Sequence, residues 1–240
     1  NPFINVYNWQ NGKGGMWDKF VKKIGVEPVV YDSEKVEESI ENISNRLENL
    51  GYYGSKIDAN LRLKKKRVFV DYNITLGKRF PIKDIILTLP EGSSAFAADY
   101  LADTSAMLIK PGDYLSENIL EKETVRSTAV MNQKGYFNFT KQHFFFEADT
   151  LSIPDTAILK MDIRNYSRTD NPDAATPIRK FYFNEVSISY PATVKFRDKV
   201  LKELNTVKPG EVYSTDIVNN TYSRLSALRT FSSVNVGLTQ

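Results

Sequence analysis

Lys110-Pro111-Gly112-Asp113 and Lys208-Pro209-Gly210-Glu211 are two versions of one turn, and the same pattern follows each. Four residues beyond the glycine stands a serine, Ser116 or Ser214, just ahead of an apolar helical period that begins at Ile119 or Ile217. Proline presets φ for such a turn and glycine tolerates positive φ. A serine at the start of a helix accepts a hydrogen bond from an otherwise unpaired backbone N–H. An aromatic-led strand is then expected from Phe137 and again from Phe231. An earlier copy begins at Asp32, where Val36, Ile40, Ile43, Leu47 and Leu50 form an amphipathic stripe closed by Gly51-Tyr52-Tyr53. Nineteen residues separate Asp32 from Gly51, and nineteen separate Ser116 from Gly135, which precedes Tyr136-Phe137. Cap, helix length, glycine and aromatic pair thus recur at one offset of 84, which marks an internal repeat. The last copy lacks the glycine, is one helical turn shorter and ends Arg229-Thr230-Phe231.

Strands complete the unit. Ile57, Ala59, Leu61 and Leu63 alternate over 55–64, and Lys65-Lys66 turns the chain into Val68, Val70, Tyr72, Ile74 and Leu76, a hairpin with one buried side. In the middle copy a strand over 137–148 is followed by Ala157, Leu159, Met161 and Ile163 in alternation. Opening strands are expected at 80–89 and 181–190, each followed by a short helix, at about 94–103 and 194–204. The order strand-helix-helix-strand-strand predicts an α+β fold, two helices on a small mixed three-stranded sheet in each repeat. The expected boundaries are a first repeat over 1–79 with an irregular start, a complete second repeat over 80–166, a polar Pro-bearing linker over 167–179 and a third repeat over 180–240 lacking its last strand. The first joint, around Gly77-Lys78-Arg79-Phe80-Pro81, is shorter and is expected to be the stiffer of the two.

Composition removes several function classes. With 32 basic and 29 acidic residues, the net charge of +3 is too even to draw in nucleic acid or anionic lipid by bulk charge. No cysteine is present, which excludes disulfides, thiol catalysis and Cys-bound zinc. His143 is the single histidine, so histidine triads and His-based metal sites are not expected, and neither a cofactor nor a catalytic residue is predicted. No run approaches a membrane-spanning helix. Asn1-Pro2-Phe3 carries no signal-peptide pattern, and the chain reads as a mature or excised segment of a longer protein.

Tandem strand-helix-helix-strand-strand units, with Lys-Pro-Gly-Asp/Glu before the second helix and Gly-Tyr-Phe after it, resemble POTRA domains, the periplasmic repeats of the BamA and TamA superfamily of outer-membrane barrel proteins. The resemblance spans about 25–240. Gly25-Val26-Glu27-Pro28-Val29 is similar to the N-terminal stretch of the Bacteroidetes TamL-like branch, with a slight departure from its Gly-Glu-Pro-Pro-Val-like form. The resemblance implies a non-enzymatic scaffold at the periplasmic face of the outer membrane. Its partners would be unfolded outer-membrane proteins or other polypeptide clients, together with subunits of an assembly machine. A lipid anchor and a barrel would lie outside this segment, so membrane contact would come only through parts not in this sequence.

The resemblance also implies where partners bind, because the second strand of such a repeat is an edge that takes extended peptide by strand addition. The candidate edge residues are Ile57, Ala59 and Leu61 in the first repeat, Phe137, Phe139, Phe144, Phe145 and Phe146 in the second, and Phe231 and Val234 in the third. Consecutive strand residues face opposite ways, so one ring of Phe144-Phe145-Phe146 cannot reach its own core. It either packs on a neighbouring repeat or helix, or meets a client. Other stretches have plainer readings. Gly12-Lys13-Gly14-Gly15 lacks phosphate-loop spacing and reads as a flexible loop. Lys64-Lys65-Lys66-Arg67 reads as a solvated hairpin tip, with contact to anionic membrane or another subunit as the alternative. His143 is expected at the surface or an edge, and Glu37, Glu38, Glu121 and Glu123 on polar helix faces. Docking to one fixed inner-membrane-tethered partner, without client binding, is the competing function. A nucleic-acid-binding α+β module is a more remote one.

Overall fold

The computed structural model describes residues 9, 15–24, 31–65, 67–166, 176–190, 198–229 and 233–238. Gly25 to Val29, most of the glycine loop at 12–15, Lys66, most of the 167–179 linker and Phe231 lie outside the described residues. The chain divides into two compact units, one of residues 1–47 with 54–77, the other of residues 48–53 with 78–240.

The first unit holds α1 (Met16–Ile24), most of α2 (Ser33–Asn49), β1 (Lys56–Lys64) and β2 (Arg67–Thr75). Asp32 accepts a hydrogen bond from the Glu34 N–H (3.1 Å), as expected of a residue that starts a helix. The predicted stripe is the inner face of α2: Val36, Ile40, Ile43 and Leu47 are half-buried, while Glu37, Glu38, Glu41, Asn42 and Arg46 are exposed. The β1–β2 hairpin is antiparallel, pairing Ile57 with Ile74, Ala59 with Tyr72 and Leu61 with Val70. Those are the two alternating sets read from the sequence, brought together on one face. Among the described residues the sheet has these two strands only.

The second unit carries β3 (Ile82–Thr88), α3 (Ser94–Asp103), α4 (Glu117–Gln133), β4 (Phe144–Asp149), β5 (Ala157–Ile163), α5 (Asp198–Leu204) and α6 (Thr215–Ala227). Its middle repeat has the predicted order, with α3 and α4 between β3 and the β4–β5 hairpin. In space the order is β3-β5-β4, β5 running parallel to β3 and antiparallel to β4. Being central, β5 buries Ala157, Leu159, Met161 and Ile163, which pack with Phe96, Tyr100, Met131, Tyr136 and Phe139.

The Lys-Pro-Gly turn is a clamp on the opening strand. Gly112, at φ +98°, donates its N–H to the Ile82 carbonyl (2.8 Å), and the Ile82 N–H returns a bond to Asp113 (2.8 Å). The Asp113 carboxylate accepts from the Lys110 N–H (2.8 Å), closing the turn. The third repeat reproduces the clamp, Gly210 donating to Phe183 (2.7 Å) and Phe183 to Glu211 (2.9 Å). Ser116 caps α4 by accepting from the Ile119 N–H, whereas Ser214 has the extended cap backbone without the side-chain bond.

Several expectations are corrected. The strand expected over 137–148 begins only at Phe144, because Tyr136 to Phe139 turn back under α4 and Asn132 ties the Phe139 carbonyl there (2.9 Å). The segment 181–190 is not a regular strand: beyond a bridge from Tyr182 to Val212, no described strand pairs with it. The helix expected at 194–204 is described from Asp198. Near the end of the expected linker, Ile178 is buried in the middle core and its N–H donates to Ser93 Oγ (2.9 Å).

His143 is buried, not at the surface, with its ring against Phe139 (centroids 5.1 Å apart) and its Nδ1 at the Thr140 backbone. Burial holds its pKa below the ordinary imidazole value, partly countered by Thr140. Glu123 is fully buried too, rather than on a polar face. It accepts from Arg126, the Ser127 hydroxyl (2.5 Å) and the Leu108 N–H (2.8 Å), while Arg126 also reaches Asp103 (2.8 Å). This network ties α3 and the 107–109 crossing to α4. Burial alone would raise the Glu123 pKa, but Arg126, Leu108 and Ser127 outweigh it and hold the carboxyl below its ordinary value.

Two predictions follow from these contacts. Because the folded carboxyl binds its proton more weakly than the unfolded one, Glu123 stabilises the fold fully above about pH 4.3, and that contribution disappears as pH falls through the lower folded value. Urea titrations of Glu123→Gln at neutral pH should show a loss of about 3 kcal/mol, with a flatter acid limb than the wild type. Gly135 sits at φ +107°, where an added Cβ would meet Val212 Cγ1 at 2.5 Å. Gly135→Ala should cost about 2 kcal/mol by urea unfolding and shift the NMR signals of Val212 and Tyr213.

Candidate polypeptide-binding edge

The sheet of the middle repeat ends at β4, since β5 pairs it on one side and no described strand pairs it on the other. The outward-facing backbone groups follow from the register. Arg164 donates its N–H to the His143 carbonyl (2.9 Å), and the pairing continues through Phe145↔Asp162 and Glu147↔Lys160. Antiparallel ladders alternate bonded and non-bonded pairs. Residues 145, 147 and 149 therefore bond to β5, while Phe146 and Ala148 turn their N–H and C=O groups to the open side. An open edge of this kind is a template for another extended chain.

The aromatic triplet divides between two faces. Phe144 is buried against Phe139 (centroids 5.3 Å apart), and Phe146 stacks on Phe144 (6.1 Å, interplanar angle 12°) at the rim of the core. Phe145 faces the other way and is 44% exposed, with the Arg164 guanidinium 4.6 Å from its ring centre. That outer face also carries the ion pairs Lys160–Glu147 (3.3 Å) and Arg164–Asp162 (2.6 Å), which are solvated and contribute little stability. Asp149 ends the strand by accepting from the Leu151 and Ser152 N–H groups and the Ser152 hydroxyl, which lower its pKa to about 2.

The other candidates are distributed differently. Phe139 is almost fully buried in the middle core and Phe137 lies off the strand altogether. Phe137 crosses into the third repeat, edge-on to Tyr213 (4.9 Å) and Phe181 (6.0 Å). Beside it, Asp99 accepts from Tyr136 Oη (2.6 Å) and pairs with Lys180 (2.8 Å), and both contacts, Lys180 foremost, lower its pKa. Phe137 is thus part of the packing between the second and third repeats. On β1, Ile57 and Ala59 are half-buried and Leu61 is exposed. Val234 is half-buried. Sequence reasoning missed Ala148, for which the alternation from Phe146 to Asp149 was the available signal, and Arg164, which reaches the edge only through the pairing of β5 with β4.

Residues 18–77 match the family model for POTRA, surface antigen variable number repeat. Among solved structures, BamA POTRA3-5 from Haemophilus influenzae is 15% identical, with a TM-score of 0.49 over 88% of this chain and 76% of that one. POTRA1-3 of the periplasmic domain of Omp85 from Anabaena is 14% identical, with a TM-score of 0.28 over 89% of this chain and 78% of that one. The N-terminal domain of Omp85 from Thermosynechococcus elongatus is 14% identical, with a TM-score of 0.29 over 95% of this chain and 87% of that one. No curated protein matches the chain.

The two faces of the triplet predict unequal costs of truncation. Phe144→Ala should lose about 3 kcal/mol in urea unfolding, as a buried ring leaving a cavity. Phe145→Ala should lose under about 1 kcal/mol, which frees its exposed ring for a role in binding. The match over residues 18–77 makes that segment similar to POTRA, surface antigen variable number repeat.

Proposed function

We propose that this chain is a periplasmic polypeptide-binding and scaffolding arm of an outer-membrane protein assembly or translocation factor. The observation that carries the reading is the open edge of β4, where Phe146 and Ala148 present unpaired backbone groups beside an exposed aromatic ring. Backbone pairing of this kind supplies affinity without demanding a client sequence, which suits a receptor for many extended substrates. Clients of outer-membrane strands would add to β4 antiparallel or parallel, with Phe145 and the rim of Phe146 contacting alternate side chains. On this reading the work is scaffolding and not catalysis. Among the described residues none of the helices is long and apolar enough to cross a membrane. The BamA and Omp85 proteins named above are the relatives by which a periplasmic setting and assembly partners are proposed here.

The register supplies a clean test. Proline is tolerated in a sheet where its missing N–H faces the open side of an edge strand. Ala148→Pro should therefore keep the fold while removing the donor and blocking strand addition. In NMR titrations with extended peptides from outer-membrane strands, the wild type should show shifts along 144–149 and the variant none there. Equal binding by the two proteins would rule out β4 as the docking edge, and client-free capture of a single fixed subunit would favour the docking-module reading.

A further inference from the structure

The β1–β2 hairpin ends in a concentration of positive charge. From residue 59 to residue 70 the sequence has five basic residues, Arg62, Lys64, Lys65, Lys66 and Arg67, and no acidic one. Arg62 is paired with Asp71, and its guanidinium lies 5.9 Å from the centre of the Phe69 ring. Lys64, Lys65 and Arg67 are exposed and make no ion pair among the described residues. Lys65 holds φ +47°, a conformation that glycine, asparagine or aspartate adopts more readily than lysine. Charge is therefore kept at a turn where backbone preference favours other residues. The strand leading into that turn also leaves apolar side chains in solvent. Ile57 and Ala59 are half-buried, but Leu61 is exposed and Leu63 is 80% exposed. The register puts both leucines on one face, opposite Val70 and Val68.

A second feature of the same unit has the same mixed character. Helix α1 buries Asp18 and Val21, so it already has a packing side. Its positions 16, 17, 20 and 24 share a different arc of the helix. They are Met16, Trp17, Phe20 and Ile24, all exposed, with Met16 at 89%. The Trp17 and Phe20 rings lie 6.2 Å apart on that arc. Lys19, Lys22 and Lys23 stand beside it, exposed and without an ion pair among the described residues. A helix with aromatic and aliphatic side chains on one solvent-facing arc and lysines alongside suits the boundary between lipid headgroups and acyl chains.

We propose that the first unit docks on an anionic phospholipid surface through the hairpin tip and α1. Charge sets the sign of the partner, since each lysine or arginine held near an anionic bilayer raises affinity about fivefold. The apolar side chains decide among anionic partners. An acidic protein surface would pair with Lys64, Lys65 and Arg67 but would leave Leu63, Trp17 and Phe20 in water. A bilayer offers phosphates directly above hydrocarbon, within the ~5–10 Å that side chains at the interface reach. The net charge of +3 does not produce this attraction; the local concentration of lysines does, because screening limits each charge to its neighbourhood. The contact departs from the resemblance, which implies membrane contact only through parts outside this sequence. It is also separate from strand addition at β4, and neither requires the other.

The test is cosedimentation of the whole 240-residue chain with vesicles of phosphatidylcholine alone, or of phosphatidylcholine and phosphatidylglycerol in equal parts. The wild type should bind the anionic vesicles and stay in the supernatant with the neutral ones. Lys64→Glu combined with Lys65→Glu should weaken that binding by about tenfold or more. In a Trp9→Phe chain Trp17 is the one tryptophan left, and its emission should shift to the blue with anionic vesicles only. These substitutions fall at exposed positions, so the urea midpoints should match the wild type. Equal binding to both vesicle types, unchanged binding after the lysine reversals, or an unshifted Trp17 would each overturn the proposal. Capture of a polyglutamate peptide without any binding to vesicles would also overturn it, and would make the tip a docking point for an acidic protein. The Ala148→Pro chain should bind anionic vesicles as the wild type does, so a failed vesicle assay and a failed peptide titration remain separate results.

Discussion

The exchange of backbone bonds between a Lys-Pro-Gly turn and a residue of the segment that opens the repeat is the contact on which the second unit depends. It is made twice, by Gly112 with Ile82 and by Gly210 with Phe183, and in both places the glycine is at positive φ. The bond fixes the strand's start relative to the second helix before any side chain is packed. With that start fixed, α4 buries Met131 and Ser127 on the same side as the sheet, and β5 has one slot left to enter. A residue with a Cβ at the turn would resist the φ the clamp needs, so the motif is spelled by geometry and not by chemistry.

A second constraint joins neighbouring repeats. Gly135 lies so close to Val212 that its missing side chain is what permits the approach, and Gly51 shows the same relation to the Leu115 carbonyl. The contact partner lies one or two residues ahead of the serine that opens the second helix of the following copy, Leu115 before Ser116 and Val212 before Ser214. Phe137, the Asp99–Tyr136–Lys180 group and the Phe181 N–H bonded to the Gly135 carbonyl (2.9 Å) add apolar, ionic and backbone contacts around that glycine. Arg229 holds φ +50° at the equivalent place in the last copy, so the left-handed turn survives there without the glycine. The positive φ therefore ends the helix, while the absence of a Cβ serves the packing.

Repetition made most of this legible from sequence. The offset of 84 located Gly51 and Gly135, the alternation over 157–163 identified a buried strand, and 94–103 was read to the residue as a helix. What failed was whatever depended on tertiary partners. Phe137 and Phe139 look like strand residues locally, yet one is drawn into the next repeat and the other beneath α4. Glu123 reads as a solvated helix residue because nothing in a linear pattern shows that Leu108 and Arg126 converge on it. The buried seat of Ile178, at the end of the expected linker, is likewise something composition cannot reveal. For the candidate edge, the aromatic triplet was visible, whereas the direction of each backbone group required the register set by Arg164 and His143.

The parallel pairing of β3 with β5 has a consequence for how the chain acquires its shape. Ile82 and Ala157 are partners although most of the repeat lies between them. Closing so long an interval costs chain entropy before any pairing energy returns, whereas β1 and β2 meet across a single tight turn. During synthesis or passage through a membrane, the hairpin can form as soon as it emerges. The middle repeat must wait for β5, and until then β3 and β4 are exposed strands with an open gap between them. Order of appearance along the chain thus sets a period in which the repeat is itself an unfinished sheet, needing protection of the kind it is proposed to give to others.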